Sequence, residues 1–182
     1  NDILGNDIAI QMYGIYLENS DTNNVQNNQI DDKQYGIYDP NSNYNQYQNN
    51  TLTHCQQAIT IEESQYNTKN TNTIYENNIG IYLNLTHNNT ITNNNITDNN
   101  YGILDPDSQD NTIQDNTIQD NQYGTYLENT QNNTVQNNTY TNNTYDIYLN
   151  NSNQNDILGN NIAIQMYGIY LENSNENNIQ NN

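Results

Sequence analysis

Few side chains in this sequence have the chemistry to carry a reaction. Its 182 residues include two lysines (Lys33, Lys69), two histidines (His54, His87), one cysteine (Cys55) and no arginine. Paired carboxylates can share general acid and base work, and the best pairs are Asp31–Asp32 and Asp105–Pro106–Asp107. Adjacent acids on an acidic chain are expected to be solvated rather than catalytic. Asp32, His54, Glu76, Asp98 and Asp120 recur every 22 residues. They could collect calcium, a hard cation that takes oxygen ligands, although a solvated acidic stripe is the expected account. Cys55 beside His54 is one Cys–His pair, too few ligands for a closed zinc site, and a lone cysteine excludes a disulfide framework. Thr-x-Thr pairs occur only at Thr51/Thr53 and Thr139/Thr141, too few for an ice-binding face. No catalytic residue, metal or cofactor is expected.

Charge narrows the classes further. Two basic against 21 acidic residues give a net charge of −19, which excludes ordinary nucleic-acid binding because that needs cations to displace counterions from phosphate. No apolar run approaches the roughly 18 residues of a membrane-spanning helix. The chain opens NDILGN without a charged-then-apolar leader, so it is expected to be a mature or excised piece. Low mean hydropathy and 31% hydrophobic residues would by themselves suggest disorder.

The order lies in a repeat. YGIYL at Tyr13 returns as YGIYD at Tyr35, QAITI at Gln57, IGIYL at Ile79 and YGILD at Tyr101. It continues as YGTYL at Tyr123, YDIYL at Tyr145 and YGIYL at Tyr167, always 22 residues apart. Stacking the copies gives columns. Asn1, Asn23, Asn45, Asn67, Asn89, Asn111, Asn133, Asn155 and Asn177 form one unbroken asparagine column. Asn6, Asn28, Asn50, Asn72, Asn94, Asn116, Asn138, Asn160 and Asn182 form the second. A third column, from Ser20 to Ser174, is always Ser or Thr. Columns headed by Ile3, Ile8 and Ile15 are mainly Ile, Leu or Val. Within each copy the YGIYL stretch alternates with period two and is rich in β-branched residues, which predicts strands.

A 22-residue unit with three short strands and no sustained helical period predicts an all-β, single-domain parallel β-helix solenoid of about eight turns, one turn per repeat. Stacked carboxamides both donate and accept, so the two Asn columns are expected to be corner ladders, with Asn tolerating left-handed backbone there. The Ile columns are expected to form a narrow core. His54, His87, Lys33 and Lys69 all lie in different columns and so do not converge.

Twelve of 17 tyrosines fall in two columns three residues apart. Tyr13, Tyr35, Tyr101, Tyr123, Tyr145 and Tyr167 share parity with Ile15 and are expected to pack inward or at a core edge. Tyr16, Tyr38, Tyr82, Tyr126, Tyr148 and Tyr170 are expected on the opposite face as a solvent-exposed stripe. Asp39–Pro40 and Asp105–Pro106 replace the Leu–Glu of other turns, and each proline is expected to end its strand or mark a bulge. Lys69 stands in an Ile column, where an unpaired buried ammonium is costly, so a local distortion or escape of the amine to solvent is expected. Sequons occur at Asn49, Asn84, Asn88, Asn95, Asn132, Asn137, Asn142 and Asn150, close to the number chance would place and outside both Asn ladders.

The last 28 residues match the first 28 at 24 positions, at a spacing of seven repeats. Residues 1–154 therefore read as one seven-turn block and 155–182 as the start of the next, within a single continuous solenoid. Neither end shows a polar cap, and open strand edges are expected to stack head to tail.

The unit N-x-I-x-x-N-x-I…Y-G-I-Y-L-x-x-S, as in Asn1 to Ser20, resembles the parallel β-helix repeat of the NosD-like and carbohydrate-binding/sugar-hydrolase superfamily across the whole chain. Its Asn-, Ile- and Tyr-rich character is similar to adhesin-like surface proteins of methanogenic archaea. The resemblance implies a right-handed β-helix exported to the cell surface. It implies no activity, since the acidic clusters with Arg, Lys or His that serve the superfamily's sugar-acid enzymes have no counterpart here. NosD-type copper work finds little support in one Cys, two His and two Met. Two functions remain: a structural rod, filament or stalk whose partner is itself, and an adhesin that meets glycans through its tyrosine stripe.

Overall fold

Each 22-residue copy winds into one coil of three strands; in the fourth coil these are Thr68–Asn70, Thr73–Tyr75 and Ile79–Asn84. The computed structural model describes residues 1–163 and 166–182, and the backbone alone at 9–11. Every strand pairs in parallel with its counterpart one repeat away, as Ile91 does with Lys69, Ile96 with Ile74 and Ile81 with Ile103. Among the described residues, first-column strands make a nine-stranded sheet. The second and third columns join into a 14-stranded one, because Gln29–Pro40 runs through both. Among the described residues no helix is long and apolar enough to cross a membrane.

The three Ile columns fill the interior, from Val25, Ile30 and Ile37 up to Ile157, Ile118 and Ile147. A fourth inward column, Leu17, Ile61, Leu83, Leu127 and Leu149, closes the core. Each fully buried Ile or Leu contributes about 2 kcal/mol of apolar transfer. Where a larger side chain enters, the one facing it shrinks. Tyr140 replaces Ile in its column, and its hydroxyl meets Thr125 Oγ1 at 2.8 Å. A buried hydroxyl needs such a partner, and Thr125 supplies it in place of the usual Ile.

Ladders and left-handed residues divide the corner between them. The ladder asparagines are not left-handed themselves; the exposed residue before each one is, as with Asn27 (φ 58) before Asn28 and Asn93 (φ 55) before Asn94. That residue turns the chain, and the next carboxamide then points inward. Four corners per turn follow this rule. Thr22 and Asp32 precede residues 23 and 33, and Asn19 precedes Ser20.

The tyrosine columns occupy one outer face, not two. Period-two alternation fails between them because both residues inside the Tyr–Gly–Ile–Tyr stretch are buried, giving the order out, in, in, out in Tyr101–Pro106 and Tyr123–Glu128. Glycine holds the first of these buried places in most turns, and Ala58 and Asp146 hold it in the same bend in two others. A Cβ on Gly102 would lie 2.6 Å from the carbonyl oxygen of Gly124, a contact that real side chains do not make. The Tyr13 column is thus turned outward beside the Tyr16 column, and Tyr13 lies 5.1 Å from Tyr16 between ring centroids.

Lys69 produces neither distortion nor escape. It keeps register with Tyr47 below and Ile91 above, its side chain is 0% exposed, and Nζ has no hydrogen-bond partner. Strands do end at Pro40 and Pro106, but strands of other turns end at the same position on Glu62 or Glu128, so proline is not what stops them.

Candidate functional site

The asparagine ladders are continuous relays. In the second column each backbone N–H donates to the next turn's Oδ1, through all eight steps from Asn6 to Asn182, at 2.9–3.1 Å. The side-chain Nδ2 of Asn116 adds bonds to the carbonyls of Ile91 and Gln114 and to Asn138 Oδ1. The first column does the same from Asn23 to Asn177. The hydroxyl column works likewise, with Ser42 N–H donating to Ser64 Oγ and Thr130 N–H to Ser152 Oγ.

A third asparagine ladder also exists: Cys55 N–H donates to Asn77 Oδ1, followed by Asn77 to Asn99, Asn99 to Asn121 and Asn121 to Asn143. Lys33 and Cys55 hold its early positions, and that irregularity hid it in the sequence.

The candidate chemical groups are dispersed. His54 stands exposed between Asp31 (Nδ1–Oδ1 2.7 Å) and Glu76 (Nε2–Oε2 3.0 Å). The hydrogen bond to Asp31 raises the His54 pKa, while Asp31 is held below the usual carboxylate range by Thr53 first and then by His54. Cys55 points the other way, into the core, and burial pushes its thiol up to about 11, so it is a protonated, inert group at neutral pH. The pair therefore does not converge on a metal. Asp32, Glu76, Asp98 and Asp120 project from exposed left-handed corners. Among the described residues no group of three or more His, Cys, Asp or Glu is placed to hold a metal ion. His87 sits in a different column, paired with Gln65 and Gln109.

Asp105 departs from the solvated reading. It occupies the inward Leu column at 0% exposure, as Asp39 does, while Asp107 is exposed. Asp39 accepts hydrogen bonds from the Tyr47 hydroxyl and from Asn45 Nδ2, and Asp105 Oδ2 accepts one from Asn133 Nδ2 at 3.2 Å. Asp105 Oδ1 has no partner. Desolvation raises Asp39 to about 6 and Asp105 to about 7, and lowers Lys69 to about 7, against the weaker attraction between Lys69 and the two carboxylates. Asp146 takes a place in the glycine column, bonded to Asn143 Nδ2 at 2.9 Å, and burial raises it to about 6. All three acids are sealed from any substrate.

On the outer face the tyrosines stack turn upon turn. Tyr101, Tyr123, Tyr145 and Tyr167 are nearly parallel with centroids 4.6–5.0 Å apart, and Tyr16 lies over Tyr38. Hydroxyls are tethered to the neighbouring column, as Tyr38 donates to Glu62 Oε2 and the Tyr126 hydroxyl accepts from Asn150 Nδ2. Gln57, Thr60 and Leu104 interrupt the stripe, leaving Tyr82 half-buried without a ring neighbour in its own column. Tyr44 on Tyr66 forms a second exposed stack, and two tyrosines in eight turns give no column signal in the sequence. Of the sequons, Asn49, Asn88, Asn95, Asn132, Asn137 and Asn142 are exposed, and Asn84 and Asn150 half-buried.

A family model described as a right handed beta helix region matches residues 13–162 and 106–182. This chain belongs to the right-handed β-helix family. The β-helix superposes on the Azotobacter vinelandii mannuronan C-5 epimerase AlgE4 A-module with a TM-score of 0.77 at 16% identity, covering 92% of this chain and 54% of that one. Against the periplasmic alginate epimerase AlgG the TM-score is 0.75 at 18% identity, covering 92% and 47%. Against the DFA-IIIase from Arthrobacter chlorophenolicus A6 without its lid it is 0.66 at 14%, covering 88% and 51%. The chain thus spans about half the length of these solved structures. At such identity the likeness is one of fold, and it carries no support for an archaeal adhesin. No curated protein sequence matches the chain.

Proposed function

We propose that this β-helix is a structural, non-enzymatic length of an exported rod, filament or surface stalk, extended by further turns or by copies stacked end to end. The observation that carries this reading is the unbroken relay from Asn6 to Asn182, which passes the same hydrogen bonds through every turn with no step specialised. The titratable groups support it from the other side: Asp39, Asp105 and Lys69 are buried, and the one exposed cluster, His54 with Asp31 and Glu76, is used up in its own ion pairs. A net charge of −19 favours rods that repel sideways while their strand edges remain free to pair.

The glycan-binding reading draws on the doubled tyrosine face. Sugars stack on ring faces, yet here Tyr123, Tyr145 and Tyr167 cover one another's faces at about 5 Å, and the Tyr38, Tyr126 and Tyr148 hydroxyls are bonded to neighbouring side chains. Electron microscopy of the purified chain at rising concentration separates the two. Unbranched fibres with a repeat near about 4.8 Å along the axis are expected. Short particles at every concentration, together with glycan-array binding that disappears in Tyr82→Ala or Tyr126→Ala, would overturn the rod.

A further inference from the structure

Tyr148 and Tyr170 sit in register one turn apart, with ring planes 4° from parallel and centroids 5.0 Å apart. The Tyr148 hydroxyl donates to Oε2 of Glu172, on the same turn as Tyr170, and Tyr170 is 37% exposed. A phenol gives up an electron readily only if its proton can leave at the same time, and a carboxylate at the hydroxyl is the acceptor that step needs. The resulting neutral radical would lie against a second phenol held parallel to it. We propose that Tyr148 and Tyr170 form an oxidative modification site, at which hydrogen peroxide acting through a peroxidase couples the two rings into a dityrosine that staples one turn of the rod to the next.

The chemistry balances. One oxidising equivalent removes an electron from Tyr148, whose phenolic proton passes to Glu172; a second removes an electron from the exposed Tyr170, whose phenolic proton goes to solvent. A carbon–carbon bond forms between ring positions ortho to the two hydroxyls. The two ring hydrogens leave as protons as aromaticity returns, and Glu172 and solvent give back the two phenolic protons. In sum one hydrogen peroxide and two tyrosines become one dityrosine and two waters. The Tyr44–Tyr66 pair provides an internal comparison. It stacks as well, at 5.0 Å and 9°, and is more exposed at 57% and 45%, but neither hydroxyl has a carboxylate partner among the described residues. Proximity without a proton acceptor is thus present in the same molecule. The inference does not depend on the rod reading, because the coupling is read within a single chain.

The test is mild treatment of dilute, monomeric protein with a plant peroxidase and hydrogen peroxide, followed by cleavage before Asp146 and Asp156. This leaves Tyr148 as the only tyrosine of peptide 146–155, with Tyr167 and Tyr170 in 156–182. A joined peptide two hydrogens lighter than its parts, with fragment ions placing the link on Tyr148 and Tyr170, is expected as the main product. Tyr148→Phe should abolish it. Glu172→Gln, which keeps the shape but takes no proton, should slow it by at least about tenfold while leaving Tyr44–Tyr66 coupling at its original rate. The proposal is overturned if Tyr44–Tyr66 dominates, if Glu172→Gln couples at the unaltered rate, or if no intramolecular link forms under conditions that couple free tyrosine.

Discussion

Asn116→Ala is expected to lower the unfolding free energy by about 4 kcal/mol, a large share of the roughly 5–15 kcal/mol typical of a folded domain. The Asn116 carboxamide accepts from the backbone N–H and the Nδ2 of Asn94, and donates to two carbonyls and to Asn138 Oδ1. All of this lies inside the coil, where no water replaces a lost partner. Truncation leaves at least the Asn94 N–H and the Ile91 carbonyl short of a partner, at roughly 2 kcal/mol for each buried group. Asn95→Ala, one residue away from the ladder and exposed, should stay within about 0.5 kcal/mol. Urea denaturation of the two variants measures the difference. Equal losses would mean that ladder asparagines are exchangeable with surface ones, and the account of the corners would fall.

The chain is also expected to be less stable near neutrality than in mild acid, opposite to proteins whose carboxylates are paired at the surface. Asp39, Asp105 and Asp146 have folded pKa values raised to about 6, 7 and 6 by burial. A carboxyl raised in the folded state binds its proton more tightly there than in the unfolded chain. Its contribution is therefore full below the unfolded value, near 3.8, and is lost as pH climbs through 6 to 7. Lys69 runs the other way, because its folded pKa is depressed from 10.5 to about 7. Its neutral form favours the fold above 10.5, and that contribution is lost as pH falls toward 7.

The two trends meet in a stability minimum near pH 7, about 3 kcal/mol deep on the acid side for a group as buried as Asp105. Replacing the pair by the residues of neighbouring turns, Lys69→Ile with Asp105→Leu, should add about 3 kcal/mol near neutrality and flatten the profile. Thermal melts across pH for both proteins check this. A melting temperature that rises steadily from acid to neutral pH in the parent chain would contradict the buried placement of these charges. Relief of surface repulsion also favours acid, but it is shared by both proteins, so the difference between their profiles isolates the core.

Much of this architecture could be read from spacing. A period without insertion dictates turn-on-turn register, and invariant Asn and recurrent Ile can serve only ladder and core in a coil of that size. What escaped the sequence escaped for physical reasons. The third strand turns two successive residues inward whether glycine, Ala58 or Asp146 stands first, so parity does not carry from Ile15 across to Tyr13. The third ladder was masked because Lys33 and Cys55 fill its early positions, so it begins only where the Cys55 backbone N–H reaches the Asn77 carboxamide. Lys69 was expected to disturb the coil. The parallel hydrogen bonds on both sides hold its backbone in place, and the cost falls on protonation instead of geometry. The Thr125–Tyr140 exchange did leave a trace, a small polar residue and a large one each breaking an Ile column, 15 residues apart.

If function resides in the repeat and not in any one turn, then a turn can be removed. Deleting residues 90–111 takes out 22 residues, rejoins Asn89 to Thr112 in phase and leaves every ladder column continuous. The measurement is small-angle X-ray scattering of this variant with its unfolding curve, beside a 21-residue deletion of 91–111. The 22-residue deletion is expected to give a cooperative rod shorter by one strand spacing, about 4.8 Å, while the 21-residue deletion turns core side chains outward and unfolds. Collapse of the in-phase variant, or survival of both alike, would contradict the account.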